Sequence, residues 1–240
     1  MMKKFKFFTL VLALIITSFG VFAQKAVVEE KLKEYGIPQG YFEDNLIQEN
    51  SNHTFQIEIT TKTSSESTGD TKEVEIGVFN PKLEEGKRWT LNTVDGNSPT
   101  NKQIKHFNKA HNSSDDYDFG EPDDNDWKII EDNENQLIVE FRYREENLPH
   151  KYKYLAGCTG KVFINKTSKR LEKIEFRNDG PIKVRIFNVS KLNMVIYYLY
   201  DEETNTYLME KEDVVMDAKM LGQSVEVEMI TEFSDYKKVN

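Results

Sequence analysis

From Ile182 onward the chain keeps a two-residue period. Ile182, Val184, Ile186, Leu192, Met194, Ile196 and Tyr198 fall on one phase. Val214, Met216, Ala218 and Met220 do so before Gly222, and Val225, Val227, Met229 and Phe233 do so after it. Successive side chains of a strand point to opposite faces, so this pattern specifies half-buried antiparallel strands and excludes amphipathic helices. The length of the first run predicts a strongly curved sheet, or two strands joined at a bulge near Asn188. The second pair predicts a closing hairpin around Gly222.

The same period recurs earlier. Phe55, Ile57 and Ile59 alternate with Gln56, Glu58 and Thr60. A polar turn over 64–70 leads to Val74, Ile76 and Val78, alternating with Glu75, Gly77 and Phe79, which together read as a hairpin. Trp89 to Val94 is a third strand ended by the turn pair Asp95-Gly96. Strands resume at 127–130 and at 136–144, where Leu137, Val139, Phe141 and Tyr143 share a face. Residues 161–165 and 171–177 form a hairpin around Thr167-Ser168.

Helical spacing governs only three stretches. Residues 25–35 place Val28, Leu32 and Tyr35 on one side and stop at Gly36, Pro38 and Gly40. A short helix fits 41–48. Pro99-Thr100 opens a polar helix whose apolar side is Ile104 and Phe107, fading near Asn112. The expected fold is mainly β (α+β): a curved antiparallel sheet or half-barrel of roughly nine to eleven strands with covering helices. Neither a repeat nor a domain-splitting linker interrupts it, so residues 24–240 read as a single domain.

The N-terminus predicts export. Lys3, Lys4 and Lys6 precede an apolar run from Phe7 to Phe22, broken only by Thr9, Thr17, Ser18 and Gly20. Val21-Phe22-Ala23 before Gln24 fits a peptidase site, so 1–23 reads as a cleavable signal peptide. The run is close to the ~17-residue minimum of a membrane span, and the small Ala23 favours cleavage over a retained anchor. Gln24, where a lipid-bearing Cys would stand, argues against a lipoprotein. Loss of Lys3, Lys4 and Lys6 takes the net charge from −9 to −12. Such acidity argues against nucleic acid, which attracts a basic surface, and against adhesion to anionic lipid. The expected location is periplasmic or secreted, with no stable membrane span after cleavage.

No reaction chemistry declares itself. Cys158, the one cysteine, begins a strand-like run in Gly157-Cys158-Thr159-Gly160. It reads as a small buried hydrophobe, since a nucleophile would need a His partner. Residues 113–126 carry Asp115, Asp116, Asp118, Glu121, Asp123, Asp124 and Asp126. Oxygen-rich loops can bind calcium, but the ordered spacing of a calcium loop is absent, and the segment reads as a solvated acidic loop. His106 and His111 sit ~140° apart around a helix and are poorly set to share a metal; His53 and His150 are isolated. Phosphate-binding loops, zinc-protease helices and nucleophile elbows are missing. The sequence therefore predicts a non-enzymatic protein with no cofactor and no metal.

The remaining signal is apolar. Met194, Met209, Met216, Met220 and Met229 cluster in the C-terminal strands, near Tyr197, Tyr198, Tyr200 and Tyr207. Flexible thioether side chains accept varied apolar partners, so a curved sheet lined this way could hold an acyl chain. Met194, Ile196, Tyr198, Met216, Met220 and Met229 are the candidate cavity residues. A close-packed core, serving an envelope protein that binds a protein partner instead, fits the same residues.

Three segments carry a family likeness. They are WTLNTVDGNSPTNKQIKHFNKAHN at 89–112, GKVFINKTSKRLEKIEF at 160–176 and TEFSDYKKVN at 231–240. Together they resemble a group of secreted bacterial proteins similar to outer-membrane lipoprotein-sorting proteins of the LolA/LolB/LppX type. That resemblance implies an open half-barrel of about eleven antiparallel strands. It also implies helices over an apolar cavity, and a lipid or lipoprotein acyl chain as ligand. Its motifs are structural, and no functional residue carries over from it.

Overall fold

The computed structural model describes residues 24–37, 52–111, 122–184, 186–220 and 222–239. The expected signal peptide, the short helix at 41–48 and the acidic loop up to Glu121 lie outside the described residues.

The chain begins with α1 (Gln24–Glu34), then β1 (His53–Ser65), β2 (Gly69–Phe79) and β3 (Trp89–Val94). Helix α2 (Asn101–His111) leads to β4 (Lys128–Asp132) and β5 (Gln136–Phe141). Two 3₁₀ segments, Glu145–Asn147 and His150–Gly157, precede β6 (Cys158–Asn165) and β7 (Arg170–Asn178). The chain closes with β8 (Ile182–Val184), β9 (Phe187–Asp201), β10 (Thr206–Met220) and β11 (Gln223–Lys238).

The strands form one antiparallel sheet in the order β3-β2-β1-β11-β10-β9-β7-β6-β5-β4, with β8 beside β9. It is an open, curved half-barrel with β3 and β4 at its edges. The hairpin expected around Gly222 forms, but it stands mid-sheet: β11 pairs with β1 along His53↔Lys238 to Ser65↔Val225. The long run from Ile182 resolves into two strands. The chain reverses between Val184 and Phe187, which pair directly. The bulge falls at Ser190, between the pairs Asp217↔Lys191 and Ala218↔Val189. Ile186 lies in the reversal and is exposed, off the face that periodicity assigned to it.

Both helices owe their ends to local chemistry. The Thr100 hydroxyl accepts from the Gln103 backbone N–H at 3.3 Å, and the Gln103 side chain accepts from the Thr100 N–H at 2.9 Å. This capping box satisfies two donors that an α-helix start leaves free. Helix α1 ends at Gly36, whose φ of +63° suits a residue without a Cβ. The Ile37 N–H reaches back to the Leu32 carbonyl at 2.9 Å and the Gly36 N–H to that of Lys33 at 3.0 Å. That double closure is a Schellman motif, and it turns Ile37 into the same apolar cluster as Val28 and Leu32.

Two apolar cores occupy one face of the sheet. The larger joins Val28 and Leu32 of α1 to Leu137, Val139, Val162, Ile174, Phe176, Met194 and Ile196. The smaller gathers Phe55, Ile57, Ile59, Trp89, Leu91 and Val94 beneath Phe107 of α2. The opposite, outer face is laced with ion pairs such as Lys62–Glu228 at 3.0 Å, Lys173–Glu175 at 2.6 Å and Lys211–Asp213 at 2.9 Å. Exposed pairs such as Lys62–Glu228 contribute little stability, whereas Glu175 is itself buried in register with Val195.

Strand β2 fixes a phase that alternation alone leaves open. Ile59 pairs with Glu75 and Ile57 with Gly77, so Glu75, Gly77 and Phe79 face inward while Val74, Ile76 and Val78 face outward. The cause is the helix above. A Cβ at position 77 would lie 2.4 Å from Cζ of Phe107, so only glycine lets α2 seat its aromatic anchor.

Candidate functional site

Residues in register across antiparallel strands share a face. One inner row runs Thr61, Met229, Val214, Met194, Phe176. The next runs Thr63, Val227, Met216, Leu192. A third runs Glu75, Ile59, Thr231, Glu212, Ile196, Ile174. Met194, Ile196, Met216 and Met229 are thereby brought onto adjacent strands of a single surface.

Their burial differs along it. Met194, Ile196 and Tyr198 are each 7% exposed and belong to the larger core. Met216 is half-buried against that core, and Met229 is half-buried against the smaller one. Met220 ends β10 opposite Gln223, and its side chain lies outside the described residues. Between the two cores the inner face thus passes through a half-buried strip: Thr61, Thr63, Val214, Met216, Val225, Val227 and Met229. The described helices stand at its flanks, α1 beside β4 and α2 beside β3.

Glu212 stands one row from this strip, a residue the apolar pattern passes over. Its neighbours in register are Ile196 and Thr231, both buried. Desolvation first, and then the charge of Asp213, raise its carboxyl pKa to about 7. Burial also raises the Tyr198 hydroxyl pKa, with lesser contributions from Tyr143 and Glu212. Glu75, in the same row, is likewise raised by desolvation and by Glu73, and is opposed by His106. The sequence did hold a signal for Glu212: it shares the phase of Val214, Met216 and Ala218.

The other sequence candidates resolve as follows. Cys158 is buried, its thiol 3.6 Å from the Tyr154 carbonyl, and burial pushes its pKa up to about 11. His106 is exposed, while His111 packs against Trp89 and Phe107 with ring centroids 5.1 and 4.3 Å away. His53, isolated in sequence, is buried with Nε2 3.8 Å from Asp201 and its ring edge-on to Tyr236. In the described end of the acidic loop, Asp123 pairs with Arg144 and Asp124 with Lys25. Among the described residues no group of three metal-ligating side chains converges, and no helix is long and apolar enough to cross a membrane. A depression of about 550 Å³ at the far ends of the hairpins is lined by Lys62, Asp70, Asp217, Val227 and Glu228. It shares Thr63 and Val227 with the strip, but its other walls are mostly polar and charged residues of the hairpin ends.

No protein-family model matches the sequence, and no curated protein matches it significantly. Solved structures are similar in fold. A LolA superfamily protein from Nitrosomonas europaea is 10% identical, with 88% of this chain and 93% of that one covered, at a TM-score of 0.34. A DUF1329 family protein from Desulfovibrio piger is 8% identical, with coverage of 81% and 91% and a TM-score of 0.31. A domain described as an outer-membrane lipoprotein-sorting protein, from Vibrio parahaemolyticus, is 12% identical, with coverage of 81% and 91% and a TM-score of 0.30. At such scores the likeness says nothing of the site, and the functional reading rests on the inner face itself.

Proposed function

We propose that this protein is an exported, non-enzymatic carrier that holds one apolar chain, such as a lipid or lipoprotein acyl group, along the inner strip of its half-barrel. The observation that supports it is the strip of Val214, Met216, Val225, Val227 and Met229, half-buried along the facing margins of two cores. Aliphatic and thioether groups lying side by side in register offer a bed for a hydrocarbon chain. Each methylene buried there contributes ~0.8 kcal/mol, set against the several kcal/mol lost on association. Against an association cost of about 4 kcal/mol, reversible micromolar binding takes a fully buried chain of about fifteen carbons.

Native mass spectrometry of the protein, purified from its own envelope without detergent, tests the reading. A lipid or lipopeptide adduct of fixed stoichiometry supports the carrier and identifies the cargo class. A bare mass, together with no uptake of added dodecyl-chain ligands, refutes it and favours an envelope scaffold that binds a protein partner.

A further inference from the structure

The inner face is not neutral. Near the strip, the charged residues that register places on the inner phase of β1, β2 and β9 to β11 are the acids Glu73, Glu75 and Glu212; at the start of β1, away from the strip, Lys238 stands in register with the buried His53. The bases beside the strip take the other phase: Lys62 pairs with Glu228, Lys211 with Asp213 and Lys191 with Asp217 on the outer face. At the far side of the sheet Asp132 accepts from Tyr35 and Lys166 and is already satisfied. No ion pair or hydrogen bond of the Glu212 carboxyl is found among the described residues.

We propose that the strip is specific for amphiphiles with a cationic, amine-type head, and that Glu212 receives that head while the chain lies over Met216, Val227 and Met229. The inference rests on the carrier reading and names its ligand class. Glu212 stands in register beside Thr231, whose hydroxyl adds an acceptor, and one row from the half-buried apolar residues. An ammonium placed there gains a charge-assisted hydrogen bond in a poorly solvated setting, where such a bond is stronger than in water. A carboxylate or phosphate head would meet Glu212, and then Glu75 and Glu73, with like charge. The titratable groups that interact with Glu212 are Asp213 and Tyr198, and the neighbouring base, Lys211, is held by Asp213 on the outer face. The desolvated carboxyl ionises near neutral pH, so amine binding should strengthen as the pH rises through that range.

The test is titration calorimetry of the purified protein at pH 8 and pH 5.5, with dodecylamine, laurate and dodecyl maltoside below their micelle concentrations. At pH 8 dodecylamine is expected to bind about tenfold tighter than either other ligand, the usual worth of one charge-assisted hydrogen bond. That preference should shrink at pH 5.5. In Glu212→Gln it should vanish at both pH values, while dodecyl maltoside binding is retained and a thermal melt shows the variant folded. Laurate binding as tightly as dodecylamine, or an unchanged preference in Glu212→Gln, overturns the assignment of head-group specificity and leaves the carrier intact. Failure of all three ligands to bind overturns the carrier and this inference with it.

Discussion

Gly77→Ala isolates the contact that seats helix α2 on the sheet. The new Cβ would stand 2.4 Å from Cζ, 3.2 Å from Cε2 and 3.3 Å from Cε1 of Phe107. Carbon atoms rest at ~3.5–4.0 Å, so the ring must retreat by more than ~1 Å. It has little room, because Phe107 is 1% exposed and packs between Trp89 and His111. Overpacking of this kind costs about 1–3 kcal/mol. Gly77 has no positive φ, so the smaller entropy of the unfolded alanine chain returns ~0.4–1 kcal/mol. The net expectation is a loss of about 1–2 kcal/mol. Phe107→Ala alone should cost about 3–5 kcal/mol. In that background the added methyl meets no ring, and Gly77→Ala should be neutral or slightly stabilising. Urea denaturation of the four proteins, followed by tryptophan fluorescence, gives the coupling energy. A value of about 2 kcal/mol is expected. Additivity within ~0.5 kcal/mol would show that α2 does not rest on Gly77, and the inward phase of β2 would lose its cause.

Glu212→Gln should stabilise the protein at alkaline pH. The folded-state pKa of about 7 lies above the ordinary carboxylate value of 4.5, so ionisation costs more in the folded state. The penalty is absent below about pH 4.5, grows as the pH rises through 7, and then levels off at up to about 3 kcal/mol. Melts of both proteins at pH 4 and pH 8.5 should therefore coincide at the first and diverge at the second; equal melting at pH 8.5 refutes the desolvation of this carboxyl. Met216→Ser and Met229→Ser should weaken dodecyl-chain binding several-fold with modest loss of stability, while Met194→Ser should cost about 2–5 kcal/mol because it opens a hole in the larger core. If all three behave alike in melts and binding, the division between strip and core is wrong. Cys158 should resist a thiol reagent at pH 8 until urea unfolds the protein, and rapid labelling of the folded protein would contradict its burial.

Strand identities followed from the two-residue period, because alternation is a local consequence of the pleat. The limits of β3 and the first hairpin, and the start of α2 after Thr100, were legible for the same reason: turn and capping chemistry acts over a few residues. Val74, Ile76 and Val78 show where local reading ends. Their alternation with Glu75, Gly77 and Phe79 marks a strand but not which phase faces inward, and Phe107, thirty residues on, takes the space above Gly77. Ile182 to Tyr198 shows it again, since one continuous phase conceals a reversal after Val184.

By itself, then, the sequence determined that this chain folds as curved antiparallel β-structure with a helix at each end of its first half, and it marked the methionine-rich strands as the apolar surface to watch. The tertiary structure alone decided that β11 pairs with β1, from the opposite end of the chain, and so placed two cores side by side with a half-buried strip between them. It alone set Glu212 next to that strip, beside Thr231 and Ile196. Period and capping are fixed by neighbours a few bonds away, whereas strand order and the desolvation of one carboxyl depend on which distant segments share a face.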